Sequence, residues 1–220
     1  MILIEDVTVQ YPGRPPVVAL QDLSLRIPPG VSLIKGASGS GKSTLLRLLA
    51  GLVSPTAGRI RHGWLRSRGP SEDVALRLRL GYVPQHSRMD VELTALDGLR
   101  YLAATRGLPA DAGAVWPLLR RWGLEAQART PIRRLSTGQA LRWLLAQSQL
   151  TAPALWLLDE PGRGLDAEGM VTLRRELSRY RQAVGGLGPR FAVVATQDGS
   201  LDDLADRIFW LDRGRLLGWA

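Results

Sequence analysis

Gly36-Ala37-Ser38-Gly39-Ser40-Gly41-Lys42-Ser43 is the stretch on which the reading of this chain turns. It fits the pattern G-x-x-x-x-G-K-[ST], and it lies between the apolar run VSLIK (31–35) and TLLRLLAGL (44–52), which reads as a helix ending at Gly51. A strand, a glycine-rich loop and a helix in that order open an α/β unit suited to holding phosphate. The glycines let main-chain amides close around phosphate oxygens, and the positive end of the helix dipole points at the same anion. Lys42 is placed to contact the β- and γ-phosphates and the Ser43 hydroxyl to ligate Mg²⁺, with Thr44 beside it on the helix. A flexible loop with an exposed lysine would not need the flanking strand and helix.

Further along, ALWLL (154–158) ends abruptly in Asp159 and Glu160. In an open parallel sheet ligands gather at the carboxyl ends of strands, so this pair is expected to face the phosphate loop. Asp159 then suits Mg²⁺, usually through water, and Glu160 can accept a proton from the attacking water. Two carboxylates after a strand more often just begin a surface turn; the pairing with the phosphate loop makes them specific. Together they imply a nucleoside triphosphatase without saying which.

The rest of the chain supplies the frame. Residues 2–11 (ILIEDVTVQY) and 17–27 (VVALQDLSLRI) read as two strands joined by the turn YPGRPP, an antiparallel beginning. From Gly81 to Leu150 the spacing turns helical, with helices expected near 94–106, 111–122 and 137–150. Afterwards ALWLL, FAVVA (191–195) and RIFWL (207–211) suit parallel strands buried on both faces, separated by a helix over 168–184, a loop over 184–189 and a short helical piece. The chain stops soon after RGRLLG, so no C-terminal regulatory domain is expected.

Composition narrows the classes. With 220 residues, 45% apolar and 22% charged, the chain is long enough for one domain with a subdomain. No apolar run reaches the roughly 18 residues of a spanning helix, and Glu5 and Asp6 stand where a secretory signal would be basic. There are no cysteines, and His62 and His86 are too few for a histidine metal centre. The net charge of +9 comes from scattered arginines with no basic-aromatic stripe, so no nucleic-acid partner is expected.

Leu135-Ser136-Thr137-Gly138-Gln139 narrows the choice further. It resembles the LSGGQ signature of ATP-binding cassette proteins, with Thr137 in place of the first glycine, and it precedes an apolar helix and the Asp-Glu strand in that family's order. Physically, Ser136 and the free amides of a helix N-terminus form an anion site. The resemblance implies that Ser136, Thr137, Gly138 and Gln139 receive the γ-phosphate of ATP bound to the opposite subunit of a head-to-tail dimer. It extends over nearly the whole chain. Tyr11 in VTVQYPG is similar to the aromatic that stacks on adenine, though an ordinary strand aromatic would read alike. Gln85 in GYVPQ resembles the glutamine that touches Mg²⁺ and the attacking water, Asp166 in EPGRGLD the aspartate of the dimer interface, and Arg142 a frequent arginine of the family. One position departs: where the family has histidine after Val-Val-x-Thr, this chain has Gln197. An amide can donate a hydrogen bond but cannot carry positive charge, so slowed hydrolysis or altered coupling is expected.

The resemblance implies an α/β fold with a P-loop NTPase core, an N-terminal antiparallel β subdomain and an inserted α-helical subdomain. The expected organisation is one cassette over 1–220, with the core at about 1–85 and 151–220 and the helical subdomain at about 86–150. It further implies an ATPase with ATP and Mg²⁺ as cofactors and two partners, a second cassette (homo- or heterodimer) and a transmembrane permease. The expected place is the cytoplasmic face of the cell membrane, peripherally bound. The stretch Glu92–Leu108, ELTALDGLRYLAATRGL, resembles export-type cassettes. Two other readings stay open, a hydrolysis-impaired regulatory cassette of a heterodimer and a soluble cassette ATPase outside transport.

Overall fold

In the computed structural model, residues 1–65, 70–85, 92–182 and 188–220 are described. The expected N-terminal hairpin is present as β1 (Ile2–Tyr11) and β2 (Val17–Ile27), antiparallel, with Ile2 opposite Ile27. A third strand, β4 (Ala57–His62), pairs with the other edge of β1 and completes the order β2-β1-β4. The AGRIRH run of β4 leaves most of its residues exposed, so it carries no apolar pattern that would have marked it.

The second sheet holds the site. Its order is β5 (Leu80–Val83), β6 (Leu155–Asp159), β7 (Phe191–Thr196), β3 (Gly30–Lys35), β8 (Arg207–Asp212), β9 (Arg215–Trp219), and all but β9 run parallel. Every residue of β6 and β7 is buried. Their alternation sends Trp156, Leu158, Ala192 and Val194 into one core and Leu155, Leu157, Phe191 and Val193 into another. The first core is shared with helices α3 (Ala95–Thr105), α4 (Ala112–Arg121), α5 (Thr137–Ser148) and α6 (Ala167–Gln182). The second lies under the small sheet and α1 (Lys42–Leu49). The three expected helices of the middle block are these α3, α4 and α5, entered through caps at Thr94, Asp111 and Ser136.

Within the first core the tryptophans have their polar atoms satisfied. Trp156 stacks on Tyr180 at 5.3 Å and donates to Ser148 Oγ at 2.8 Å, while Trp143 donates to the Ala95 carbonyl at 2.8 Å.

Two readings need correction. The block read as helical from Gly81 begins with a strand, because β5 is a short edge pairing with β6 that four residues cannot announce. β8 is not buried on both faces: Trp210 and Asp212 are exposed, since this strand sits near the open edge. Two elements had no counterpart in the sequence reading: β9, a hairpin partner of β8, and a helix α2 (Pro70–Leu78) that precedes β5. His86, the first residues of the proposed helical subdomain and most of the 184–189 loop lie outside the described residues.

Candidate functional site

The registers of the parallel sheet bring the predicted residues to one edge. Lys35 lies opposite Thr196, and Asp159 opposite Ala195, so the phosphate loop, the Asp-Glu pair and Gln197 leave three adjacent strands at the same end. The loop is tight. A side chain on Gly36 (φ 151°) would come within 2.1 Å of the Leu211 carbonyl oxygen, and one on Gly41 (φ 104°) within 2.7 Å of the Ala19 carbonyl. Gly39 (φ 79°) instead has nothing within 4 Å. Gly36→Ala is therefore expected to destabilise the chain by more than about 3 kcal/mol and Gly39→Ala by only about 1–2 kcal/mol. Urea unfolding of the two variants would show whether backbone collision or backbone conformation dominates.

Lys42 points back across the loop. Its Nζ donates to the carbonyls of Gly36 at 2.7 Å and Ala37 at 3.0 Å and stands 3.9 Å from Glu160 Oε1, with both side chains less than a tenth exposed. Burial lowers the pKa of its ammonium, and the carboxylates of Glu160 and Asp159 partly oppose that shift. Glu160 is held by its backbone: it has a positive φ of 51°, its amide donates to the Ala195 carbonyl at 2.9 Å, and its carbonyl accepts from the Arg163 amide at 3.0 Å. Its Oε1 is buried and accepts no hydrogen bond among the described residues.

The donors around this point are all oxygen, with Ser43 following Lys42 and Asp159 buried at the strand end. No group of three or more His, Cys, Asp or Glu placed to hold a metal ion exists among the described residues. The oxygens of Ser43 and Asp159 suit Mg²⁺, a cation usually held by one or two protein oxygens together with substrate phosphates.

Tyr11 is half-buried at the end of β1 with its hydroxyl inside. The Arg47 guanidinium on α1 lies against it and against the hydroxyl of Tyr82, and both phenols raise the arginine's pKa, Tyr11 the more. Tyr82 has its own pKa raised, first by burial and then by the Asp159 carboxylate nearby.

The signature residues sit apart from this cluster. Ser136 caps α5 in a reciprocal box, accepting from the Gln139 amide at 3.3 Å while its own amide donates to Gln139 Oε1 at 3.0 Å. Thr137, Gln85 and Arg163 line a cleft of about 270 Å³ with Arg133 and Leu141. Asp166 caps α6 through the Gly169 amide at 2.9 Å and pairs with Arg142 at 3.2 Å, and Arg142 also reaches Glu168 at 3.2 Å. Gln197 is exposed just past the end of β7, and the next residue, Asp198, also exposed, accepts from the Ser200 hydroxyl at 2.6 Å, a bond that lowers the Asp198 pKa.

Several neighbours of the site were missed from sequence. Gly214, in the β8–β9 turn, donates its amide to the Ser40 carbonyl at 2.9 Å and accepts from the Gln21 amide at 2.9 Å, so it braces the phosphate loop. A side chain there would meet the Ala19 carbonyl at 2.7 Å. Gly164 (φ 98°) leaves space beside the Thr137 methyl, 3.6 Å from where its own Cβ would stand. Glycine at both places was visible, but only the pairing across the fold gives it meaning.

The chain resembles known proteins in both sequence and structure. The family model described as ABC transporter matches residues 20–163. The cytochrome c biogenesis ATP-binding export protein CcmA of Bordetella bronchiseptica is 37% identical over 187 residues, covering 85% of this chain and 78% of that protein. The zinc import ATP-binding protein ZnuC of Halorhodospira halophila is 33% identical over 218 residues, 98% of this chain and 75% of that one. Among solved structures, the dimer of MJ0796, a bacterial ABC transporter cassette, superposes with a TM-score of 0.87 at 25% identity, covering 100% of this chain and 98% of the other. The same cassette in a post-hydrolysis state bound to ADP and Pi gives 0.84.

Proposed function

Since the chain belongs to the ABC transporter family as an ATP-binding, ATP-hydrolysing subunit, we propose that it cleaves MgATP at the junction of Lys42 and Glu160 and thereby drives a separate membrane subunit. The observation that supports this is the approach of Lys42 Nζ to within 3.9 Å of the buried Glu160 Oε1, the pairing expected of a phosphate-binding cation and a proton acceptor.

In this reading residues 36–44 cradle the triphosphate, with the loop amides and Lys42 on its outer phosphates. Ser43, Asp159 and Gln85 would hold Mg²⁺, which when bound neutralises charge on the phosphates. Glu160 takes the proton of the attacking water, and the exposed amide of Gln197 donates to the γ-phosphate. Tyr11 offers its ring to adenine, with its buried hydroxyl beside Arg47. The Ser136–Gln139 run engages its own chain through the capping box and leaves the free amides of α5 for the nucleotide of a second cassette, with Asp166 at the same interface. Residues 86–150 serve as the docking arm for the permease.

ATP then acts as a ligand with higher affinity for the closed dimer, and hydrolysis removes that difference. No helix among the described residues is long and apolar enough to cross a membrane. The likeness to ATP-binding subunits of transporters supports a peripheral place beside a permease at the cytoplasmic face. The higher identity to an export subunit than to an import subunit, with the Glu92–Leu108 stretch, supports export. Gln197 and Thr137 favour one other reading, a slow regulatory half of a heterodimer.

Steady-state phosphate release tests the choice. A charged imidazole makes a hydrogen bond to phosphate roughly twice as strong as a neutral amide does, so Gln197→His is expected to raise kcat about tenfold with little change in KM. Absence of phosphate release by the unaltered chain, with or without its membrane partner, would overturn the hydrolytic reading in favour of the regulatory one.

A further inference from the structure

Of the 29 basic residues only Lys35 and Lys42 are lysines, and they bracket the phosphate loop. Nucleotide binding accounts for Lys42. Lys35 has no such role: it ends β3 just before Gly36, its side chain is 14% exposed, and its Nζ lies 2.5 Å from Asp202 Oδ2. Across the sheet its register partner is Thr196, the residue before Gln197.

Asp202 begins the short 3₁₀ turn Asp202–Leu204 in the segment that leads from Gln197 to β8. The other ties of this segment go elsewhere. Arg174 on α6 reaches Asp203 and the Ser200 carbonyl, Arg181 on α6 reaches Asp206, and Asp206 accepts from the Val31 amide at the start of β3. Among the described residues, Lys35 is the one cation that ties the segment to the phosphate-loop end of the sheet. The second oxygen of Asp202 is buried and accepts no hydrogen bond among those residues, so Lys35 carries the compensation of that carboxylate. A compact ammonium on a flexible stem meets a single carboxylate oxygen end-on, where the planar fork of arginine favours two.

We propose that Lys35 is a positioning residue of the ATPase: through Asp202 it holds the segment that carries Gln197 against the end of β3, so that the Gln197 amide meets the γ-phosphate in one place. This rests on Gln197 acting at the γ-phosphate. A protonated imidazole would be drawn to the phosphate by its own charge. A neutral amide lacks that pull, and its contribution depends on being held in place beforehand.

The full chain tests this with Lys35→Met, Lys35→Arg, Asp202→Asn and Gln197→Ala, by calorimetry with MgATP and by steady-state phosphate release. Lys35→Met is expected to lower kcat by about tenfold to a hundredfold while Kd and KM for MgATP stay within about twofold. In the Gln197→Ala background the same change should have no further effect, and Lys35→Arg should restore part of the loss. A general loosening of the fold would instead multiply with Gln197→Ala. If Lys35→Met does not fold, Asp202→Asn, which keeps the shape and removes only the charge, carries the same expectation. An unchanged kcat in Lys35→Met or Asp202→Asn, or an equal loss in both backgrounds, would overturn the proposal while leaving the ATPase reading intact. Failure of the unaltered chain to bind MgATP would remove the ATPase reading itself, and this one with it.

Discussion

Glu160→Gln is expected to lower kcat about a thousandfold while leaving MgATP affinity close to that of the unaltered chain. The substitution keeps the volume and one carbonyl oxygen and removes only the basicity. Glu160 is pinned by main-chain bonds to Ala195 and Arg163 and by its positive φ, so the replacement amide should occupy the same place. What it cannot do is accept the proton that leaves water as the γ-phosphate is attacked. The buried Oε1, which accepts no hydrogen bond among the described residues, is the atom left available for that proton. With cleavage stopped and binding preserved, the closed state should accumulate, and light scattering in MgATP should report a stable dimer where the unaltered chain shows mostly monomer. A variant with kcat within about threefold of the unaltered chain would place the general base elsewhere, since loss of such a base costs at least about a hundredfold.

How much of this was legible in the sequence depends on how local each feature is. The phosphate loop was readable because its glycines, its lysine and the flanking strand and helix are contiguous, and the Asp-Glu pair because β6 is apolar throughout and then stops. The α/β class and the three helices α3, α4 and α5 followed from periodicity. β4, β5 and β9 did not: β4 and β9 are short edge strands with at least half their residues exposed, and β5 is only four residues long, so none carries an apolar run or a sustained alternation. Gly214 against Ser40 of the phosphate loop, Gly164 beside Thr137, and Lys35 against Asp202 are pairings across 174, 27 and 167 residues of chain respectively, and no local pattern announces them. Gln197 was visible as a departure, but the segment that holds it in place appeared only with the fold.

Lys42→Ala is expected to weaken MgATP binding by about a hundredfold to a thousandfold, within the roughly 2–5 kcal/mol that removing one partner of a buried, hydrogen-bonded charge pair costs a complex. Its effect on folding should be much smaller, for two opposing reasons. The ammonium makes two short bonds to the Gly36 and Ala37 carbonyls, yet it is held in a buried place that lowers its pKa, so removing it forfeits the bonds and also removes the desolvation of a cation. The same shift has a sign that calorimetry can read. Because the free site lowers the pKa of Lys42, raising pH neutralises this lysine earlier than an ordinary one, and the neutral amine no longer attracts phosphate. Bound triphosphate favours the charged form, so MgATP binding at alkaline pH should take up a proton, and affinity should fall as pH rises through the lowered pKa. In Lys42→Ala this proton uptake should vanish together with most of the affinity. Retained affinity in Lys42→Ala would mean that the loop amides alone grip the triphosphate, and the pairing of Lys42 with Glu160 would then be structural rather than chemical.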